Sequence, residues 1–169
     1  MEFTLRDATL EDAAQLANLL RVTGWWAHIA AESPQETIEH VTRHLALDLA
    51  DDSHTVYVAE GPDGRIAGYA AVHWLPYLFM RGPEGNVSEL FVHEALRGQG
   101  VGKLLLQAVV SEARRRGCTR LSLINMRHRE SYERGFYTKL GWEERPIAAN
   151  FVYYLEPAPG IANQEVSEQ

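Results

Sequence analysis

Residues 87–103, which read Val-Ser-Glu-Leu-Phe-Val-His-Glu-Ala-Leu-Arg-Gly-Gln-Gly-Val-Gly-Lys, constrain this chain more than any other stretch. Residues 86–93 read as a strand. Residues 99–116 read as the strongest helix in the chain, with Val101, Leu104, Leu105 and Ala108 on one apolar face and Gly117 as the stop. Between them lies a short loop of arginine and glycine. A strand that feeds through such a loop into a long helix aims the helix's unpaired first-turn N–H groups, and the positive end of its dipole, at whatever lies in front. Glycine lets an anion approach that backbone closely, so a diphosphate is the natural ligand. Taken alone, Gly98 and Gly100 fit an ordinary tight turn equally well. Two common phosphate motifs fail. The P-loop needs glycine where Arg97 stands and Ser or Thr where Leu104 stands, and the dinucleotide fingerprint needs a third glycine where Lys103 stands.

The rest of the pattern surrounds that unit with alternating elements. Residues 2–6 alternate as a half-buried strand does. Thr9, Glu11 and Asp12 announce a helix over residues 13–20, and Gly24 breaks it. Ser33 and Pro34 cap a second helix that carries Ile38, Val41, Leu45 and Leu49. Residues 55–60 and 65–74 form a hairpin around Gly61-Pro62-Asp63-Gly64. A looser segment, residues 75–85, leads to the strand before the loop. A strand over 119–125, a helix over 130–140 ended by Gly141, and a last strand over 151–155 complete the order. This predicts one α/β domain of the α+β type over residues 1–156, with helices flanking a mixed, mostly antiparallel twisted sheet. Residues 157–169 are expected to be a disordered tail.

Composition narrows the function. The net charge of -7 disfavours nucleic acid as a partner and suits a cationic one. No apolar run is long enough to span a bilayer, and the first residues lack the basic-then-apolar order of a secretory signal, so a cytoplasmic protein without membrane contact is expected. Cys118 is the only cysteine, read as an inert, partly buried thiol. His40 and His44 lie at i, i+4 spacing with no third ligand in view, so they read as a solvated helix face and no metal is expected. Arg114-Arg115-Arg116 complements the C-terminal end of its helix dipole.

Arg97-x-x-Gly100-x-Gly102 resembles the acyl-CoA diphosphate motif of the GNAT superfamily of N-acetyltransferases. Glu89-Leu90-Phe91-Val92 resembles that family's fourth strand, and Phe136-Tyr137-Thr138-Lys139-Leu140-Gly141-Trp142 its late signature. The resemblance covers roughly residues 2 to 155. It implies acetyl-CoA as acyl donor, with the backbone N–H groups of Gln99, Gly100, Val101, Gly102 and Lys103 on the diphosphate, Gly98 as a further donor-binding residue of the same loop, and charge from Arg97 and Lys103. Phe91 and Val92 would pair with the pantetheine arm, from strands that splay at residues 89–92.

The implied reaction sets three tasks. The attacking amine must lose a proton, the tetrahedral oxyanion needs a donor, and the leaving thiolate gains from an acid. By resemblance, Tyr137 is the acid and the Val92 N–H the oxyanion donor. Glu89 is either the base, acting through water, or a ligand for a cationic acceptor. Many relatives open the last helix with Asn where this chain has Glu130, so Asn125 and Ser131 become the nearby candidates for donor contact.

Trp25, Trp26 and His28 are expected to shape the acceptor pocket. Trp74, with Pro76, Tyr77 and Phe79 after it, would line that pocket or a dimer interface, and the resemblance is compatible with a homodimer. The expected function is acetyl transfer from acetyl-CoA to a primary amine by direct attack. The alternative is a non-catalytic acyl-CoA sensor, which would keep the cradle without needing Tyr137 or Glu89.

Overall fold

The computed structural model describes residues 2–155. Five strands form one sheet in sequence order: β1 (Thr4–Asp7), β2 (His54–Glu60), β3 (Ile66–Leu75), β4 (Glu84–Val92) and β5 (Arg120–Leu123). The first three pairings are antiparallel and β4–β5 is parallel. The helices are α1 (Ala13–Thr23), α2 (Ala27–Ala31), α3 (Pro34–Asp48), α4 (Val101–Arg115) and α5 (Glu130–Glu133).

Strand alternation sorts the core into two layers. Val56, Val58, Tyr69 and Ala71 face α1 and α3, where they meet Leu16, Leu19, Val41 and Leu45. Ala59, Ala70 and Val72 face α4, where Leu105 and Val109 are fully buried. Truncating Leu105 to alanine in such a site costs about 2–5 kcal/mol.

β4 departs from simple alternation. Val72 pairs with Val87 and Ala71 with Glu89, so Ser88 is the extra residue of a bulge. Before the bulge Val87 faces α4. After it Leu90 and Val92 do, and Phe91 turns to α1 and α3.

The capping signals read from the sequence are used. Ser33 accepts from the Glu36 N–H at 3.3 Å, and Glu36 returns a bond to the Ser33 N–H at 2.7 Å. Ahead of α1, Asp12 is buried. Its carboxylate takes two bonds from Arg6, both at 2.8 Å, and one from the Thr9 N–H at 2.8 Å.

Three expectations change. The helix expected over 130–140 is only one turn, Glu130–Glu133. Gly135 sits at φ +64 and stops it, and a 3-10 turn over Thr138–Leu140 follows. No strand forms over residues 151–155, and Phe151, Val152, Tyr153, Tyr154 and Leu155 are exposed. Aromatic and β-branched composition favours extended backbone, but a strand also needs a sheet edge to pair with. The short helix α2 carries no sequence pattern of its own and lies where only a break was expected. The expected tail, residues 157–169, lies outside the described residues.

Candidate active site

β4 and β5 are paired only from Glu84↔Arg120 to Val87↔Leu123. Beyond that point the strands part, while β4 stays paired with β3 as far as Val92. One edge of β4 therefore remains unpaired over residues 88–92. The His93 N–H bonds the Ala67 carbonyl on the β3 side at 2.8 Å. N–H directions alternate along a strand, so those of Val92 and Leu90 point to the open edge.

The parted strands form a cleft of about 440 Å³. Its walls include Leu90, Phe91 and Val92 from β4, Leu123 to Met126 from the end of β5, and Tyr137. Its mouth is the predicted cradle. Gly98 and Gly100 have φ +78 and +89, left-handed values that a side chain would strain, and they turn the chain into α4. The first bond down α4 runs from the Leu104 N–H to the Gly100 carbonyl at 2.9 Å, so the N–H groups of Val101, Gly102 and Lys103 precede the helical ladder. Arg97 and Lys103 line the same mouth, and among the described residues neither has a carboxylate partner.

Asn125 and Ser131 meet in the cleft wall. The Ser131 hydroxyl donates to Asn125 Oδ1 at 3.2 Å, and Asn125 Nδ2 is buried without a partner among the described residues. An unpaired buried amide N–H is costly, which makes it a ready donor for a polar group entering the cleft. Tyr137 packs between Phe136 and Trp142. Burial raises its phenol above the ordinary value, against a smaller opposing pull from Arg134. The phenol thus stays protonated across the physiological range.

Glu89 lies outside this cleft. The bulge turns it to the other face of β4, into a pocket of about 110 Å³ with Tyr69, His40, His44 and Asp48. The Tyr69 hydroxyl donates to its carboxylate. The carboxyl is open to solvent on the pocket side yet crowded by protein on the others. Desolvation, with repulsion from Asp48, outweighs the Tyr69 bond and the two histidines, and pushes it above the ordinary carboxylate value. His40 and His44, expected to be only a solvated face, therefore line a pocket beside Glu89. Ser88 was not singled out from the sequence. It lines the cleft, and its hydroxyl lies 3.0 Å from His73 Nε2.

The aromatic predictions divide. Trp25 and Trp26 both pack on Phe91, with centroids 5.3 and 5.1 Å away, and roof the cleft. His28 is exposed, with its ring 6.3 Å from that of His40, and lines neither cavity. Trp74 is not at the site. It is buried on the α4 face, donates to Thr55 Oγ1 at 2.9 Å and lies under the Arg116 guanidinium. The Gln99 side chain folds back to the Ala95 carbonyl at 3.3 Å and stays outside the cleft.

A glycine turn with free helix N–H groups, at the mouth of a slot between parted strands that holds a phenol, matches the arrangement expected of an acyl-CoA-dependent acyltransferase. The chain belongs to the acetyltransferase (GNAT) family, which residues 22–142 match, and it is an acetyl-CoA-dependent N-acetyltransferase. It is 31% identical over 159 residues to aminoglycoside N(6')-acetyltransferase type 1 of Stenotrophomonas maltophilia, covering 92% of this chain and 95% of that one. It is 36% identical over 97 residues to glucosamine 6-phosphate N-acetyltransferase 1 of Oryza sativa subsp. japonica, covering 56% of each. Among solved structures, a transcriptional regulator from Bacillus halodurans C-125 superposes with a TM-score of 0.76 at 25% identity, over 90% of this chain and 100% of that one. Glucosamine-6-phosphate N-acetyltransferase from Arabidopsis thaliana shares the fold, with a TM-score of 0.73 at 20% identity over 92% and 100%.

The residues present fit acetyl-CoA. Among the described residues, free N–H groups and unpaired cations stand at the mouth, and an open strand edge and an unpaired amide lie further in. Among the described residues no group of three or more His, Cys, Asp or Glu could hold a metal ion. No helix among them is long and apolar enough to cross a membrane.

Proposed function

We propose that this enzyme acetylates a primary amine on a small polar molecule by direct attack of the amine on the donor thioester. The parting of β4 and β5 after Val87 and Leu123 carries this reading, because it leaves a strand edge free beside an anion cradle. An extended pantetheine arm matches that edge through main-chain hydrogen bonds, as an added strand would. Val101, Gly102 and Lys103 hold the diphosphate with their N–H groups, helped by the Arg97 and Lys103 charges, and Asn125 donates to the arm.

The acceptor approaches from the side of Trp26, Phe91 and Glu89. Glu89, which lies outside the donor cleft, takes up through an intervening water the proton that the amine loses. The Val92 N–H, aimed at the open edge, donates to the carbonyl oxygen as it becomes an oxyanion. Tyr137 gives its phenolic proton to the departing sulfur and regains one from water. Cys118 is no rival nucleophile, since burial raises its thiol and so disfavours the reactive thiolate. A net charge of -7 and the pairing of Glu89 with Asp48 in one pocket favour a cationic acceptor. The similar proteins named for aminoglycosides and glucosamine 6-phosphate both act on amino sugars by name, which supports the same broad acceptor class here.

The test is thiol release from acetyl-CoA across a panel of amino sugars, diamines, amino acids and peptides. Amine-dependent release supports the reading. Donor binding with no release from any amine would favour the sensor instead.

A further inference from the structure

Arg129 is the cation least explained by the fold. It lies between β5 and α5 and lines the cleft. Its guanidinium carbon is 3.7 Å from the centroid of the Trp25 ring, a stacking distance, and that of Arg97 is 5.9 Å from the same ring. Two guanidinium groups therefore share one indole at the cleft mouth. Among the described residues the Arg129 side chain has no hydrogen-bond or carboxylate partner, unlike those of Arg6, Arg116, Arg120 and Arg127. Burial and repulsion from Arg97 both disfavour its charge. A half-buried pair of like charges with no counter-ion among the described residues holds an electrostatic deficit that an anion would fill.

The geometry of stacking says how. A guanidinium that lies flat on an indole uses its face and leaves its in-plane N–H donors free, in the fork that grips phosphate oxygens in pairs. Stacking also fixes the plane, so less freedom is lost when the fork engages.

We propose that Arg129 is a donor-binding residue whose guanidinium fork takes a phosphate of acyl-CoA together with Arg97, and that Trp25 is a positioning residue that holds the fork in place. This rests on the cleft being the acyl-CoA site. Trp25 also packs edge-on against Phe91, on the acceptor side of β4, so one indole joins the donor's phosphates to the acceptor wall. Donor and acceptor binding are then coupled, and coupling is reciprocal.

Calorimetric titration of the full chain with CoA tests this through a double-mutant cycle. Arg129→Ala is expected to raise the CoA Kd about 10-fold or more, as the loss of a charge-assisted phosphate contact does. Arg129→Lys keeps the charge without the fork and should fall between Arg129→Ala and wild type. Trp25→Leu should weaken CoA about 3-fold. Because Trp25 acts through Arg129, the double variant should bind like Arg129→Ala alone. Turnover of acetyl-pantetheine, which carries no phosphate, should fall far less in Arg129→Ala than turnover of acetyl-CoA does. Wild-type CoA affinity in both Arg129 variants overturns the proposal. So do additive effects of the two sites, or equal losses with acetyl-pantetheine. If the wild type itself fails to bind CoA, the donor reading of the cleft falls first, and that result is separate from any variant.

Discussion

Val87 and Glu89 are two residues apart on one strand, yet their side chains face opposite sides of the sheet, because Ser88 between them forms a bulge. In an unbroken strand both would point toward α4. The bulge places Val87 on the α4 side and delivers Glu89, with Phe91 after it, to the side where Trp26 and the small pocket with His40, His44 and Asp48 lie.

The two sides of Glu89 give opposite pH trends. As a base it must be ionised, so kcat/KM should rise with pH through a value above the ordinary carboxylate range, and Glu89→Gln should flatten that limb. Stability runs the other way. A carboxyl raised on folding binds more protons folded than unfolded between its ordinary and raised values, so stability falls as pH rises through that window. Glu89→Gln should therefore melt above the wild type at pH 8 while losing most of its turnover. A variant that loses activity and melts lower at every pH would contradict the assignment.

Tyr137→Phe removes one hydroxyl and keeps the packing against Phe136 and Trp142. We expect kcat to fall at least ~10-fold, a loss of about 1.4 kcal/mol of barrier lowering, with the melting temperature little changed. The raised phenol should keep the wild-type alkaline limb above pH ~10. Release at the wild-type rate would remove Tyr137 from the acid role while leaving the enzyme intact.

Glu84 and Arg120 hold the closed end of the parted strands. Glu84 is buried, takes the Arg120 Nε donor at 2.6 Å and also accepts from Ser122. Arg120→Ala would leave a carboxylate buried and unpaired, for a loss of about 2–4 kcal/mol read by urea unfolding. Replacing both partners by leucine should recover most of it. A fully stable Arg120→Ala variant would show that the pair adds little.

Asp12 binds Arg6 and the Thr9 N–H, and the Arg6 bond lowers its carboxyl below the ordinary value. A depressed acid stabilises the fold above its unfolded pKa, and that contribution is lost as pH falls through the folded value. Asp12→Asn should cost about 2–3 kcal/mol at pH 7, with the gap to wild type closing below pH ~4. A gap that persists in acid would mean packing, not charge, is lost.

The α4 helix, the β2–β3 hairpin and the Gly98–Gly100 turn were legible because their signals are local: apolar spacing, a Pro-Asp-Gly turn and glycines at left-handed positions. The interruption at Gly135 was missed: the helix was expected to run on to Leu140, and a lone glycine does not by itself say whether its φ turns positive. Trp74 shows the limit of such reading. Its sequence neighbours are loop aromatics, but strand parity buries it against α4. Asn125 could be suspected from its place after β5, whereas its orphaned amide needed neighbours to be seen. Arg129 and Trp25 lie too far apart along the chain for any local pattern to join them.

The sequence by itself determined the order of elements from β1 to β5 apart from α2, the glycine turn ahead of α4 and the family signature, because backbone preference and apolar periodicity act over a few residues. Only the tertiary structure decided that the parting of β4 and β5, expected at residues 89–92, begins after Val87 and Leu123, that the bulge at Ser88 turns Glu89 away from Tyr137, and that Arg129 lies on Trp25. Each of those depends on a pairing register or a contact between distant segments, and a register fixes which face a side chain takes without leaving a mark on the residues beside it.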